Sequence, residues 1–171
     1  MYAPLKLLFL DIDGVFLNSD PFLNDLDPRL FSDPVNNIDP RLVALLNKVI
    51  ETTGAKVVLS SAWRLDSVVG FNETVGWLKH HGFTGEVIDH TPDLSHLGLR
   101  FRKERAKEIH AWLDDLKDQM APHDNEVRWA VLDDNFMDIL PSSRFVQTNP
   151  MNGLTQENVD RVTEILMNAA V

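Results

Sequence analysis

The sequence contains no cysteine. That excludes a disulfide scaffold, a thiolate zinc site and a cysteine nucleophile, and it suits a reducing compartment. Long apolar runs are missing as well. The stretch Leu7 to Leu10 is ended by Asp11 and Asp13, too soon for a signal segment and far short of the ~20 residues of a membrane span. The chain therefore reads as soluble, unexported and cytoplasmic, with no membrane partner. Positive charge is scarce: 16 Lys and Arg stand against 26 Asp and Glu, a formal net charge of -10. Such a field opposes broad coating of a nucleic acid, although a local basic pocket can still accept one phosphate end and a bound cation can offset part of the acid. The histidines (His80, His81, His90, His96, His110 and His123) lack HxH or HExxH spacing, and none reads as a metal ligand. There is no internal repeat, low-complexity tract or interdomain linker.

What is present suits one globular domain. The 171 residues, 44% hydrophobic and 25% charged, match a single domain over 1–171 whose folding buries roughly 70% of the unfolded surface. Lys6 to Leu10 is a continuous apolar run, as expected of a strand buried on both faces. From Phe16 to Asn37 no period is sustained and Pro21, Pro28 and Pro34 intervene, which predicts a loop or flap insertion at about 15–38. Its Phe16, Phe22 and Phe31 suit packing onto the sheet, or else a lid over a site. Asp39-Pro40 then caps a helix whose face carries Leu42, Leu45, Leu46, Val49 and Ile50, with Gly54 as its stop.

The same rhythm continues. Lys56 to Leu59 reads as a strand, Asn72 as the cap of a short helix to Gly82, and Glu86 to Ile88 as another strand. Arg102 to Lys117 has the spacing of an amphipathic helix, Trp129 to Leu132 of a strand, and Arg144 to Gln147 of a short strand. Thr155 caps a last helix through Val159, Val162, Ile165 and Leu166. Strand, helix and strand in alternation predict an α/β fold, a doubly wound, Rossmann-like parallel sheet with helices on both faces.

In such sheets ligands bind beyond the carboxyl ends of the strands. Three of the expected strands end in polar pairs: Asp11 and Asp13, Ser60 and Ser61, Asp133 and Asp134. Residues two apart on an extended segment point the same way, so Asp11 and Asp13 can share a site, and Gly14 lets the chain turn behind them. Two carboxylates repel by about 1 kcal/mol at ~4 Å in water and by more in a drier cleft. A cation would resolve the crowding. An all-oxygen set with places left for water suits Mg²⁺ better than Zn²⁺.

These residues resemble the motifs of the haloacid dehalogenase (HAD) superfamily. Leu8-Phe9-Leu10-Asp11-Ile12-Asp13-Gly14-Val15 is similar to its first motif, a strand followed by DxDG. Val57-Val58-Leu59-Ser60 resembles the second, and Val131-Leu132-Asp133-Asp134-Asn135-Phe136-Met137-Asp138 the fourth, DDxxxD after an apolar strand. Ser60-Ser61-Ala62-Trp63-Arg64, Arg105-Ala106-Lys107-Glu108-Ile109 with Trp112-Leu113, and Gly153-Leu154-Thr155 look like the HAD domains of RNA-repair proteins.

The resemblance implies a phosphatase. Asp11 would attack phosphorus and form an aspartyl-phosphate, and Asp13 would act as general acid and then base, its backbone carbonyl joining the metal shell. Ser60 would hydrogen-bond a phosphoryl oxygen. Asp11 and Asp134, with Asp133 or Asp138, would hold Mg²⁺. The third-motif basic residue aligns with Arg105 by spacing, while Lys103 has the expected chemistry. Ser61 and Arg64 are candidates for binding substrate. Trp63 and Arg64 would orient substrate, or else fill a core position and a surface ion pair. Gly14 to Asp39 and Arg64 to Arg102 leave no room for a full cap domain. An open site implies an accessible phosphate such as a nucleic-acid end or a nucleotide. Two rival readings are a phosphoacceptor receiver domain, which places its acids in a different strand order, and a HAD-like binding protein without turnover.

Overall fold

The computed structural model describes residues 3–16, 38–97, 101–120 and 126–168, with the backbone alone over 101–103. Its elements are β1 (Leu5–Leu10), α1 (Pro40–Thr53), β2 (Lys56–Leu59), α2 (Phe71–His80), β3 (Val87–His90), α3 (Phe101–Gln119), β4 (Val127–Asp133), β5 (Phe145–Gln147) and α4 (Gln156–Met167). The strands form one sheet in the order β3-β2-β1-β4-β5, each neighbouring pair parallel. This is the expected α/β, Rossmann-like arrangement. Among the described residues there is no cap domain, and no helix is long and apolar enough to cross a membrane.

The continuous apolar run of β1 has a simple cause. Leu7, Leu8, Phe9 and Leu10 are all fully buried, because the central strand is covered on both faces. Alternate residues serve opposite layers. Leu8, Leu10, Val57, Leu59, Ala130 and Leu132 pack with α1 and α4, whereas Leu7, Phe9, Val58 and Val131 pack with Ala106, Ile109 and Leu113 of α3. Each fully buried side chain of this size contributes about 1.5–3 kcal/mol. Phe16 is buried in the α1 and α4 layer, which answers the lid reading for that residue. Phe22, Phe31 and nearly all of the expected flap lie outside the described residues.

Local signals account for most helix ends. The Asp39 carboxylate accepts from the Arg41 N–H at 2.8 Å with Pro40 as the first helical residue, and the Gly54 N–H closes α1 on the Ile50 carbonyl at 2.8 Å. Thr155 and Asn158 form a capping box on α4. The start of α2 differs from the reading that Asn72 caps it. Gly70 precedes the helix at φ 107°, a conformation open to glycine, and its carbonyl accepts from the Thr74 hydroxyl at 2.8 Å. Backbone turning there supersedes a side-chain cap. β3 runs one residue later than expected and on to His90, with three of its four residues exposed at the sheet edge. Arg144 belongs to the turn before β5.

Candidate active site

Strand register assembles the site. Leu10 is level with Leu59 of β2 on one side and with Leu132 of β4 on the other, so the next residues, Ser60, Asp11 and Asp133, form a row across the carboxyl edge. The backbone ladder continues through them: the Ser60 N–H donates to the Leu10 carbonyl at 2.8 Å and the Asp11 N–H to the Leu132 carbonyl at 3.0 Å. By the alternation of faces all three side chains fall on the α3 side of the sheet. Asp134 joins them from beyond β4. Asp11, Asp133 and Asp134 each offer a carboxylate oxygen, and these atoms lie within 4.8 Å of one another.

Gly14 explains how the first-motif turn fits against this group. At φ 65° it lets the chain reverse, and a β-carbon there would sit 2.4 Å from the Asp134 side chain. No larger residue fits. The Thr148 hydroxyl donates to the Gly14 carbonyl at 2.8 Å, and the Thr148 N–H donates to the Asp133 carbonyl at 3.0 Å. The exit of β5 thus latches the first motif to the fourth. Thr148 escaped the sequence reading, although it follows its strand just as Asp11 and Ser60 follow theirs.

Burial dominates the electrostatics of the group. It pushes the Asp133 carboxyl up to about 8, with the neighbouring Asp11 charge adding to the rise and Arg105 opposing it. It likewise lifts Asp11 to about 6, against the pull of Arg105 and of a hydrogen bond from Ser61. Asp134 is also raised by desolvation. Asp13 lies closer to solvent, and desolvation still raises its carboxyl against the hydrogen bond from Trp63, whose Nε1 donates to Oδ2 at 3.1 Å. Arg105 is buried and its positive charge bears on all four carboxylates. Lys103 lies in α3, and its side chain falls outside the described residues.

The remaining candidates separate. Ser60 is buried with its hydroxyl oxygen meeting no protein partner, as do Asp11 Oδ1 and Asp133 Oδ2. Ser61 is spent within the protein: its hydroxyl serves Asp11 and accepts from the Trp63 N–H at 3.3 Å. Arg64 forms an ion pair that is buried rather than at the surface, and it serves as a clamp. Its guanidinium donates to the carbonyls of Thr91 at 2.8 Å, Ser61 at 2.8 Å and Pro92 at 3.0 Å, and pairs with Glu108 at 2.9 Å. Those acceptors take four of its five N–H donors. Asp138 is exposed and stands outside the carboxylate group, in the irregular segment that follows the end of β4 at Asp133.

Residues 7–159 match the family described as the HAD domain in Swiss Army Knife RNA repair proteins. The chain belongs to that family. No curated protein and no solved structure matches it. HAD domains are generally hydrolases of the phosphatase type and typically use Mg²⁺.

The residues of this HAD domain fit such an ion. Its donors are all oxygen, three carboxylates converge, and two buried carboxylate oxygens meet no protein donor. Buried polar atoms without partners are costly, so a ligand that satisfies them is favoured. Asp11, Asp133 and Asp134 could hold the cation.

Proposed function

We propose that this HAD domain hydrolyses phosphomonoesters with Mg²⁺ by way of an aspartyl-phosphate. The observation that carries the reading is the level exit of β1, β2 and β4, which brings Asp11 and Asp133 together beside the Ser60 hydroxyl with Asp134 in reach. When bound, Mg²⁺ offsets the negative charge of the phosphoryl group and of the carboxylates around it. Side chains of Asp11, Asp133 and Asp134 and the backbone carbonyl of Asp13 would hold it; exposed Asp138 has no part.

The chain's own residues carry the bond changes. An Asp11 oxygen forms a bond to phosphorus as the bond to the leaving oxygen breaks, and Asp13 gives that oxygen its proton. Asp13 then takes a proton from water, whose oxygen displaces Asp11 and releases phosphate. Ser60 donates its hydroxyl to a phosphoryl oxygen. Arg105 balances phosphoryl charge, since its guanidinium is buried and acts on these carboxylates, while the side chain of Lys103, the other candidate, lies outside the described residues. The substrate is an accessible phosphate, a nucleic-acid end or a nucleotide, a reading supported by the short stretches Gly14 to Asp39 and Arg64 to Arg102, which leave no room for a full cap domain.

Steady-state phosphate release tests the reading. It should require Mg²⁺, stop with a chelator, and fall about a thousandfold or more in Asp11→Asn. Full activity in Asp11→Asn would remove the nucleophile. Uptake of one phosphate without turnover would favour the receiver-like reading. An end-phosphorylated oligonucleotide should be a better substrate than free nucleotides, and the reverse order would shift the assignment to nucleotides.

A further inference from the structure

We infer that Trp63 is a positioning residue for proton transfer: its indole N–H holds Oδ2 of Asp13 and leaves Oδ1 to serve the leaving group. The inference rests on Asp13 acting as general acid and base. An indole N–H can only donate, so the oxygen it holds is kept as an acceptor. The proton to be delivered therefore sits on the other oxygen. Asp13 stands at the solvent boundary, where a carboxyl group held by water alone would sample several rotamers.

The donor is itself fixed from several sides. Trp63 is 6% exposed and meets Trp77 of α2 edge to face, with ring centres 5.6 Å apart. Its carbonyl accepts from the Gly70 N–H at 3.0 Å and from the Thr74 hydroxyl at 3.0 Å. Its backbone N–H reaches the Ser61 hydroxyl, the group that also bonds Asp11. One tight turn, Ala62–Arg64, thereby gears the proposed nucleophile to the proposed acid.

Leaving-group chemistry isolates this role. When the phosphorus–oxygen bond breaks, its electron pair goes to the leaving oxygen. An alkoxide needs the Oδ1 proton at that moment, whereas para-nitrophenolate is stable without it. Trp63→Phe keeps an aromatic side chain, smaller than the indole, and removes the N–H. Hydrolysis of glycerol phosphate should fall about tenfold or more, and that of para-nitrophenyl phosphate by about threefold or less. Equal losses on both substrates, or no loss on either, would overturn the inference.

A second measurement on the unsubstituted Trp63 keeps the inference open to refutation if that variant fails to fold. The Trp63 indole proton resonance should move in Asp13→Ala, and an unmoved resonance would contradict the pairing. Failure of the underlying reading looks different. Asp13→Asn would then turn over glycerol phosphate normally, whereas a crippled Asp13→Asn beside uniform losses in Trp63→Phe rejects the positioning role alone.

Discussion

Arg105 and Glu108 stand one turn apart on α3, and each faces a buried polar cluster of opposite construction. Around Glu108 the charges are closed. Its two carboxylate oxygens accept from the Leu94 N–H and from Arg64, and three more Arg64 donors end on backbone carbonyls. Around Arg105 three carboxylates crowd together, and Asp11 Oδ1 and Asp133 Oδ2 meet no protein donor. Burial is nearly the same in both, so desolvation alone does not distinguish them. Completeness of pairing does: the closed cluster holds three segments in place, while the open one is left to a ligand.

Removing one partner of the closed pair should break this contrast most severely. Arg64→Ala or Glu108→Ala leaves an uncompensated buried charge and should cost about 3–5 kcal/mol in denaturant unfolding. The double variant Arg64→Met/Glu108→Leu should recover most of that stability. If either single variant unfolds like the parent, the pair is not the structural clamp described.

The open cluster should respond in the opposite sense. Asp133 titrates in the native state near 8, far above its unfolded value of 3.8, so the folded protein binds the extra proton between them. Its favourable contribution is complete below about pH 4 and is lost as pH rises toward about 8. In chelator, Asp133→Asn should therefore melt a few degrees above the parent, with a gap that widens from about pH 5 to about pH 8. Added Mg²⁺ should reverse the order, raising the parent by about 2.7 kcal/mol at ~100 times Kd and the variant far less. A variant less stable than the parent in chelator would contradict the crowding. The smallest effect is expected at Asp138. Exposed and outside the group, it should change stability by less than about 0.5 kcal/mol on substitution by alanine and leave Mg²⁺ stabilisation intact.

Legibility in the sequence followed the same division. The apolar runs of β1, β2 and β4 and their polar last residues could be read because local pattern specifies a buried strand, and parallel register then brings strand ends level. Asp11, Ser60, Asp133 and Asp134 are therefore legible from the sequence pattern alone. The burial of Arg64 is not legible, for a physical reason. A charged residue after a turn ordinarily seeks water, and its acceptors come from Thr91, Pro92 and Glu108, which no local pattern connects to it. The Trp63 bond to Asp13 and the Thr148 latch on Gly14 depend equally on tertiary placement. Asp138 shares a motif with Asp134 but not its position, since spacing in an irregular segment fixes no direction.

Chemical trapping bears most directly on the nucleophile. With labelled phosphomonoester and Mg²⁺, acid quenching in the first turnover should leave phosphate on the protein, located at Asp11 and absent from Asp11→Asn. Release of phosphate with no labelled protein, or with the label on another residue, would contradict the account.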